Sequence, residues 1–237
     1  MQARPDLHCE SCSSRKFGVF CQLQTGAVQE LDHHKVPNRY RRKQILFYEG
    51  QAPTGLYCVS SGKIKLYKTG GDGRSLIVRT AQKGDIVGYR SLLAGENYNA
   101  TAEMVEEGDV CFIDRATIDS LIAHNPELAI SIIKKLSHEL GESETKLREF
   151  SQKSVRERLA ELLLVFKDAV GRPEPGGGVL LEQRLTREEI VQMLGSTPET
   201  IIRLLHQFAE EKLLKLDGKK IVLTHLNGLT VAARLED

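Results

Sequence analysis

The feature that most constrains the fold of this chain is a change in the spacing of its apolar residues. From Ile45 to Ile113 they alternate in short runs that glycines interrupt, as in GLYCVSSGKIKLYKT. A period of two indicates strands, and many short strands favour a small antiparallel sandwich or barrel. The stretch TGGDGRS at 69–75 predicts a hairpin loop between two of these strands.

A long amphipathic helix is predicted after this region. Asn125 is suited to cap it, and Pro126 is suited to its first turn. The apolar residues then recur every three or four positions on one face: Leu128, Ile132, Ile133, Leu136, Leu140 and Leu147. A stripe of this length needs a partner surface. The pattern alone favours the chain's own barrel and a second copy of the helix equally.

The last third predicts a helix, a tight turn, a second helix and a hairpin. TREE at 186–189 is a capping box for a helix that would end at Gly195. Thr197 and Pro198 suit the start of the second helix, and Asp217-Gly218 suits a hairpin turn. This order of elements is that of a winged helix-turn-helix, whose second helix enters the major groove of DNA.

The outward face of the second helix would carry Glu199, Ile202, Arg203 and His206. Arginine pairs with guanine, glutamate accepts from cytosine, and an apolar side chain suits the thymine methyl group. A solvated Glu199–Arg203 pair would explain the two charges but not the exposed Ile202 between them, so we favour base readout. Phosphate contacts are expected from a further set, for which a plain solvated surface is the alternative: Thr186, Arg187, Thr197, Lys215, Lys219 and Lys220.

Composition narrows the class of protein. With 41% hydrophobic and 27% charged residues the chain is typical of globular proteins, and a formal net charge of +1 means that DNA binding needs a local patch. No apolar run approaches the roughly 18–20 residues that span a bilayer, and we find no secretory signal. We therefore expect a cytoplasmic protein, in whose reducing environment clustered cysteines indicate metal or redox chemistry.

The residues do not support an enzyme. A cupin-type barrel would hold a metal through His-x-His and a following Glu, but no histidine lies between His34 and His124. GGDG at 70–73 is predicted as a turn and not as a phosphate-binding loop, and no nucleophile motif is found. We expect no catalytic residues.

The chain resembles the cyclic AMP receptor protein / fumarate-and-nitrate-reduction regulator (CRP/FNR) family over nearly its whole length. The resemblance rests on the glycine-punctuated strands, on the helix after VCFIDRATIDSLIAHNPEL and on TREEIVQMLGSTPETIIRLL, with Glu199 and Arg203 at the family's positions. It implies an α+β chain with four parts: an N-terminal Cys arm (1–30), a jelly-roll, cNMP-binding-like β-roll sensor domain (31–115), a dimerisation helix (116–150) and a winged helix-turn-helix (151–237).

The resemblance also implies a homodimer that reads a palindromic operator in double-stranded DNA. Its helices would pair through Ile132, Leu136, Leu140 and Leu147, and RNA polymerase would be a further partner, with HHKVPNRYRRKQ at 33–44 as a candidate contact. Glu199 and Arg203 would read a TGA-type core in each half-site. Ile202 replaces the serine that is usual in the FNR-like branch, which leaves the base preference at that step open.

A cyclic-nucleotide sensor of this family would hold the ribose with a Glu and the phosphate with an Arg. In GYRSLLAGENYNAT those positions are Tyr89 and Asn99, with Arg90 next to Tyr89. The phosphate would lose its charge-assisted partner. We therefore interpret the effector pocket as degenerate and do not expect cyclic AMP as a ligand.

The FNR-like branch senses oxygen with an iron–sulfur cluster on N-terminal cysteines and one cysteine of the roll. By resemblance, Cys9, Cys12, Cys21 and Cys111 would be the ligands of a 4Fe-4S cluster, although C-x2-C-x8-C here is longer than the usual C-x2-C-x5-C. Zinc on the same thiolates, a thiol–disulfide switch and an arm without metal are the alternatives. Cys58 is interpreted as a core residue.

Overall fold

The computed structural model of the chain describes residues 7–175, 177–181, 186–218 and 220–235. It contains two compact units, residues 1–142 and 143–237. The first unit combines a β-roll with helices, and the second combines a small sheet with a helix-turn-helix. The predicted α+β class is confirmed.

The first unit begins with the arm, defined here as residues 7–24. It contains two 3₁₀ turns, Arg15–Phe17 and Val19–Gln22. Helix α1 (Thr25–His34) follows and leads into the roll. Val19, Phe20 and Leu23 of the arm are buried in the same core as Val28 and Leu31 of α1.

Two four-stranded antiparallel sheets form the roll. Its strands are β1 (Val36–Tyr40), β2 (Ile45–Phe47), β3 (Gly55–Val59), β4 (Lys63–Thr69), β5 (Ser75–Gln82), β6 (Ile86–Val87), β7 (Thr101–Glu106) and β8 (Gly108–Asp114). One sheet has the order β1-β8-β3-β6 and the other β2-β7-β4-β5. Thr69 pairs with Ser75, which confirms the predicted hairpin at 69–75.

Three helices accompany the roll. Helix α2 (Tyr89–Ala94) lies between β6 and β7 in the chain, α3 (Arg115–His124) follows β8, and α4 (Pro126–Gln152) follows α3. The Asn125 side chain donates to the Leu121 carbonyl of α3 at 2.8 Å, and it is the backbone carbonyl of Asn125 that accepts from Leu128. The predicted side-chain cap on α4 is therefore wrong, because this amide closes the preceding helix.

The apolar stripe of α4 divides between two environments. Leu128 and Ile132 are buried in the chain's own core, and Leu136 packs against that core. Leu140 and Leu147 are 61% and 71% exposed. The prediction that Ile132 belongs to a dimer interface is corrected, since its side chain is already covered by the roll and the arm.

The second unit is built around α5 and a four-stranded sheet. Its elements are α5 (Val155–Val170), β9 (Gly171–Pro173), β10 (Val179–Leu181), α6 (Arg187–Leu194), α7 (Pro198–Glu210), β11 (Leu214–Asp217), β12 (Lys220–Leu223) and α8 (Leu226–Ala232). The sheet has the order β11-β12-β10-β9. Its core joins α5, α7 and the strands through Leu159, Leu163, Ile201, Phe208 and Leu223.

Local sequence signals account for the helix-turn-helix. The Thr186 hydroxyl accepts from the Glu189 N–H at 3.2 Å while the Glu189 carboxylate accepts from the Thr186 N–H at 2.6 Å, which confirms the capping box. Gly195 ends α6 in the left-handed region, with φ 56° and ψ 45°. Thr197 caps α7 by accepting from the Thr200 N–H at 3.2 Å.

The wing is a hairpin of β11 and β12. Asp217 pairs with Lys220 across it, and Gly218 has a positive φ of 57°. Asp217 is thus the last residue of its strand and does not lie inside the turn. Among the described residues, no helix combines the length and the apolar character that crossing a bilayer requires.

Candidate functional site

Helix α7 has one buried face and one exposed face. Ile201, Leu204, Leu205 and Phe208 are buried in the core of the second unit and fix the helix there. The outward side chains are those predicted to read bases: Glu199, Ile202, Arg203 and His206. The Ile202 side chain is 40% exposed and lies on the same outward face as Glu199 and Arg203.

The expected phosphate-binding residues have mixed environments. The hydroxyls of Thr186 and Thr197 act as helix caps. The Arg187 guanidinium donates to the Gly218 carbonyl at 3.1 Å and so ties α6 to the wing. The side chains of Lys215 and Lys220 are exposed on the wing, whereas Lys219 lies outside the described residues.

The three residues expected at a degenerate effector pocket have different environments. Tyr89 is fully buried, and the Arg79 guanidinium lies 5.8 Å from the centre of its ring. Burial raises the pKa of Tyr89 above its ordinary value. Arg90 is exposed and pairs with Glu96 at 3.3 Å, and Asn99 is exposed. Tyr89 is thus closed off from solvent, and the Arg90 guanidinium is already paired with a carboxylate.

Four cysteine side chains line one small cavity between the arm and the roll. They are Cys9, Cys12, Cys58 and Cys111. The cavity has a volume of about 30 Å³, which is enough for a water-sized group. The sequence predicts three of these cysteines as candidate ligands and Cys58 as a core residue, and Cys58 does pack against the core that holds Cys9.

The roll supplies two of these thiols from neighbouring strands. Cys58 of β3 is directly opposite Cys111 of β8 in the antiparallel register. Residues that face each other across two strands project to the same side of the sheet. The next pair on that side, Leu56 and Ile113, is buried in the core that also holds Cys9.

The arm supplies the other two thiols and holds them with polar contacts. Lys35 Nζ donates to Cys9 Sγ at 3.2 Å, and Asp32 pairs with the same ammonium group. Cys12 Sγ lies 2.8 Å from Ser14 Oγ and 3.9 Å from Ser60 Oγ, just beyond the end of β3. The arm is therefore docked with both thiols towards the sheet.

The four thiols differ in acidity. Burial raises the pKa of Cys111 to about 12, and it raises the pKa of Cys58 and, despite Lys35, that of Cys9. Burial also acts to raise the pKa of Cys12, but hydrogen bonds from Ser14 and the backbone N–H groups outweigh it. The pKa of Cys12 therefore lies below its ordinary value, and Cys12 ionises more readily than the other three.

Cys21 lies outside this cavity. Its side chain is exposed on the second 3₁₀ turn, whereas the neighbouring Phe20 is buried and lines the cavity. As the side chains stand, no three His, Cys, Asp or Glu residues in the described ranges are spaced to hold a metal ion. The site thus matches thiolate chemistry in its donors and enclosure but not in its present distances.

Two glycines allow the arm to approach the roll closely. A Cβ atom on Gly18 would lie 2.4 Å from the Gly84 carbonyl oxygen, nearer than real Cβ atoms come. The next residue, Asp85, accepts from Lys135 of α4 at 2.7 Å. The arm and the first half of α4 therefore meet at the same turn of the roll.

A β-roll, a long helix with an exposed apolar face and a winged helix-turn-helix with an outward polar face define a DNA-binding transcriptional regulator. Residues 37–125 match the cyclic nucleotide-binding domain, and residues 157–231 match the Crp-like helix-turn-helix domain. The chain belongs to the CRP/FNR family of transcriptional regulators. It is a regulator and not an enzyme, and it binds DNA as a dimer, as regulators of this family do.

Two relatives illustrate the breadth of the family. The chain is 31% identical over 232 residues to the fumarate and nitrate reduction regulatory protein of Vibrio cholerae, covering 95% of this chain and 90% of that protein. It is 28% identical over 219 residues to the CRP-like cAMP-activated global transcriptional regulator of Mycobacterium tuberculosis, covering 92% of this chain and 97% of that protein. Similarity over nearly the full length therefore extends to regulators with different names.

Known structures support the fold. A CRP/FNR family protein from Eubacterium rectale superposes with a TM-score of 0.77 at 21% identity, over 91% of this chain and 97% of that one. A CooA mutant from Carboxydothermus hydrogenoformans gives a TM-score of 0.70 at 22% identity, over 98% of both chains. At this level of identity, the similarity concerns the fold alone.

The close contact at Gly18 gives a test of arm docking. The Gly18→Ala variant should displace the arm, because overpacking against backbone costs about 1–3 kcal/mol. In reduced, metal-free protein, alkylation of Cys9 and Cys12 should then become faster, on the order of tenfold. Mass spectrometry of timed iodoacetamide reactions measures these rates.

The matched control is Gly26→Ala, where an added Cβ meets nothing within 4 Å. This variant should alkylate at the wild-type rate. Equal rates in all three proteins would contradict the docked position of the arm.

Proposed function

We propose that this regulator couples the state of its thiol cavity to the reading of a palindromic operator by Glu199, Ile202 and Arg203. The observation that carries the proposal is the convergence of arm and roll thiols on one cavity. In this proposal the protein acts in the cytoplasm, where it meets double-stranded DNA and RNA polymerase. The exposed basic residues 41–43 beside β1 are a candidate polymerase contact.

The exposed apolar side of α4 supports the pairing of two chains. Ile133, Leu140 and Leu147 are 56%, 61% and 71% exposed and recur every seven residues. A seven-residue apolar repeat is the seam of a left-handed coiled coil. A coiled-coil seam has a second apolar position three residues after the first. Leu136 and Phe150 lie at this position, three residues after Ile133 and Leu147.

The outward face of α7 supports base readout. Arg203 can present its guanidinium fork to the O6 and N7 atoms of guanine, and Glu199 can accept from the cytosine amino group. The exposed Ile202 side chain suits a thymine methyl group. Lys215 and Lys220 on the wing are positioned to contribute sequence-independent phosphate contacts.

The thiol cavity supports a redox or oxygen signal. Cys9, Cys12 and Cys111, with a fourth thiol, would hold a 4Fe-4S cluster, which supplies an oxygen-sensitive link when bound. The relative from Vibrio cholerae carries the name of a fumarate and nitrate reduction regulator. Zinc on the same thiolates is the second candidate, because tetrahedral sulfur sites also suit that ion.

The contacts between roll and α4 provide a route by which arm docking can affect the dimer. Lys135 pairs with Asp85 beside the arm, and Glu139 pairs with Arg79 at 2.8 Å. Lys135 and Glu139 lie on α4 between the buried Ile132 and the exposed Leu140. A shift of the turn at residues 84–85 would therefore reach the start of the pairing surface.

Cyclic AMP is not part of the proposal. Tyr89, which by resemblance corresponds to the ribose-binding Glu of that branch, is buried, and Arg90 is paired with Glu96. A phosphate there would lack the charge-assisted partner that such pockets provide.

Charged residues on the exposed seam should prevent pairing. The double variant Leu140→Glu, Leu147→Glu should elute as a monomer in light scattering and lose most operator affinity, because like charges would face each other across the two-fold axis. Thr145→Glu, on the opposite side of the helix, is the control and should remain dimeric. A dimeric double variant would refute this surface.

The role of Arg203 can be separated from a phosphate contact. Arg203→Ala should weaken operator binding by about 1–3 kcal/mol and relax the preference at one base pair. Arg203→Lys keeps the charge but loses the bidentate fork, so it should lose the same base preference. Binding measurements on single-base operator variants test this; a lysine variant with unchanged preference would indicate a phosphate contact instead.

The redox proposal predicts a metal-containing protein in the absence of oxygen. Anaerobic purification should give a coloured protein with iron and acid-labile sulfide, and exposure to air should remove the colour and weaken operator binding. Zinc in a colourless protein would favour the second candidate. A protein without either metal that binds its operator equally with and without air would contradict cavity-dependent sensing.

A further inference from the structure

We infer that Cys58 is the fourth thiolate of a site for a thiophilic metal centre formed with Cys9, Cys12 and Cys111, and that Cys21 is not a ligand. The inference rests on the proposed function and specifies its binding site. The ligand set implied by the family resemblance has three cysteines from the arm and one from the roll. In the set inferred here, Cys58 takes the place of Cys21, so arm and roll contribute two ligands each. The ligand is an iron–sulfur cluster or zinc, both of which bind through thiolates.

The roll places Cys58 and Cys111 as a fixed pair. Five consecutive residue pairs set the register of β3 against β8, from Gly55–Asp114 to Val59–Val110. A slip of β3 by one residue would turn Cys58 to the other face and expose Leu56, which is buried. Two ligands therefore stand on a rigid element before any metal binds.

The arm brings its two thiols to the same face. Cys9 is buried in the core that includes Leu56 and Ile113, and Cys58 packs against this core. Cys12 Sγ is 3.9 Å from Ser60 Oγ, so its thiol is held beside the strand end that carries Cys58. Each pair of ligands thus comes from one side of the arm–roll contact.

The position of Cys21 argues against its being a ligand. Phe20 is 3% exposed and forms part of the cavity wall, whereas the Cys21 side chain is exposed. To reach the cavity, Cys21 would have to displace Phe20 from the core, because adjacent residues of this turn point in different directions. The long C-x8-C spacing is then no obstacle, since the third arm cysteine is not required.

The surroundings suit a centre with several thiolates. Lys35 Nζ already lies 3.2 Å from Cys9 Sγ, and hydrogen bonds and nearby cations stabilise sulfur ligands. Metal binding releases the thiol protons and requires the sulfur atoms to approach one another from their present positions. All five cysteines are free, so no disulfide ties the arm to the roll. The arm can therefore make this adjustment.

Metal uptake by matched serine variants tests the inference. The full chain, Cys21→Ser and Cys58→Ser are each reconstituted anaerobically with ferrous iron and sulfide, or with zinc. Wild type and Cys21→Ser should contain equal metal per chain. Cys58→Ser should lose its metal at a chelator concentration more than about tenfold lower than the wild type does. Removing a residue that only hydrogen-bonds to a ligand already lowers metal affinity by about 10–100-fold, and loss of a ligand should lower it at least as much.

A second measurement does not depend on the folding of Cys58→Ser. The chain has five cysteines, so Cys21→Ser retains only Cys9, Cys12, Cys58 and Cys111. Its cobalt(II) form should show the sulfur-to-cobalt absorption of four thiolates. Absorption from three thiolates, or loss of metal by Cys21→Ser, would overturn the assignment of Cys58 while leaving cavity-dependent sensing in place.

Uptake of neither iron nor zinc by the wild type would overturn both this assignment and the metal-dependent part of the proposed function. A wild type that binds metal while Cys21→Ser does not would contradict the ligand set alone, so the two failures are distinguishable.

Discussion

The docking of the arm against the roll is the contact that organises the first unit. Phe20, Val19 and Leu23 are buried in a core shared with α1, α3 and the start of α4. Burial of such side chains contributes about 1.5–3 kcal/mol each, so the arm has its own reason to dock. Polar contacts of Cys9 with Lys35 and of Cys12 with Ser60 accompany this apolar packing. The cavity exists because the arm covers the sheet at this place.

Helix α4 serves two surfaces, and this explains why its pattern was ambiguous. Ile132 and Ile133 are neighbours in the chain, but one is buried in the roll and the other is 56% exposed. A stripe wide enough for both purposes has more apolar residues than a single seam requires. The periodicity of the sequence therefore predicted a helix with one apolar face, without separating the residues that pack on the roll from those that remain exposed. Only the position of the roll shows which residues remain for a second chain.

Local signals in the sequence were sufficient for the helix-turn-helix. The capping box at Thr186 and the left-handed Gly195 depend on residues within one turn of each other, and the structure confirms both. The sequence also predicted which side chains of α7 face outward. Cys58 could not be assigned in the same way, because its neighbour Cys111 is 53 residues away and the pairing of β3 with β8 is non-local. The alternation of GLYCV showed that Cys58 has a fixed face, but not which strand lies beside it.

The relative size of the interactions indicates why the cavity is a suitable place for a switch. Partly exposed ion pairs such as Lys135–Asp85 contribute only about 0–1 kcal/mol each, so these pairs alone couple the turn at residues 84–85 to α4 only weakly. Moving a two-state equilibrium from 1:99 to 99:1 requires about 5.5 kcal/mol of differential binding. Structural zinc sites supply about 10–16 kcal/mol in small domains. Ligation of a metal by Cys9 and Cys12 together with thiols of the roll, as proposed above, would exceed this requirement, whereas the contact of Cys12 with Ser60 would not. A metal bound by thiolates of both arm and roll would thus be strong enough to hold the arm docked. Without the metal, docking of the arm would depend on the apolar contacts alone.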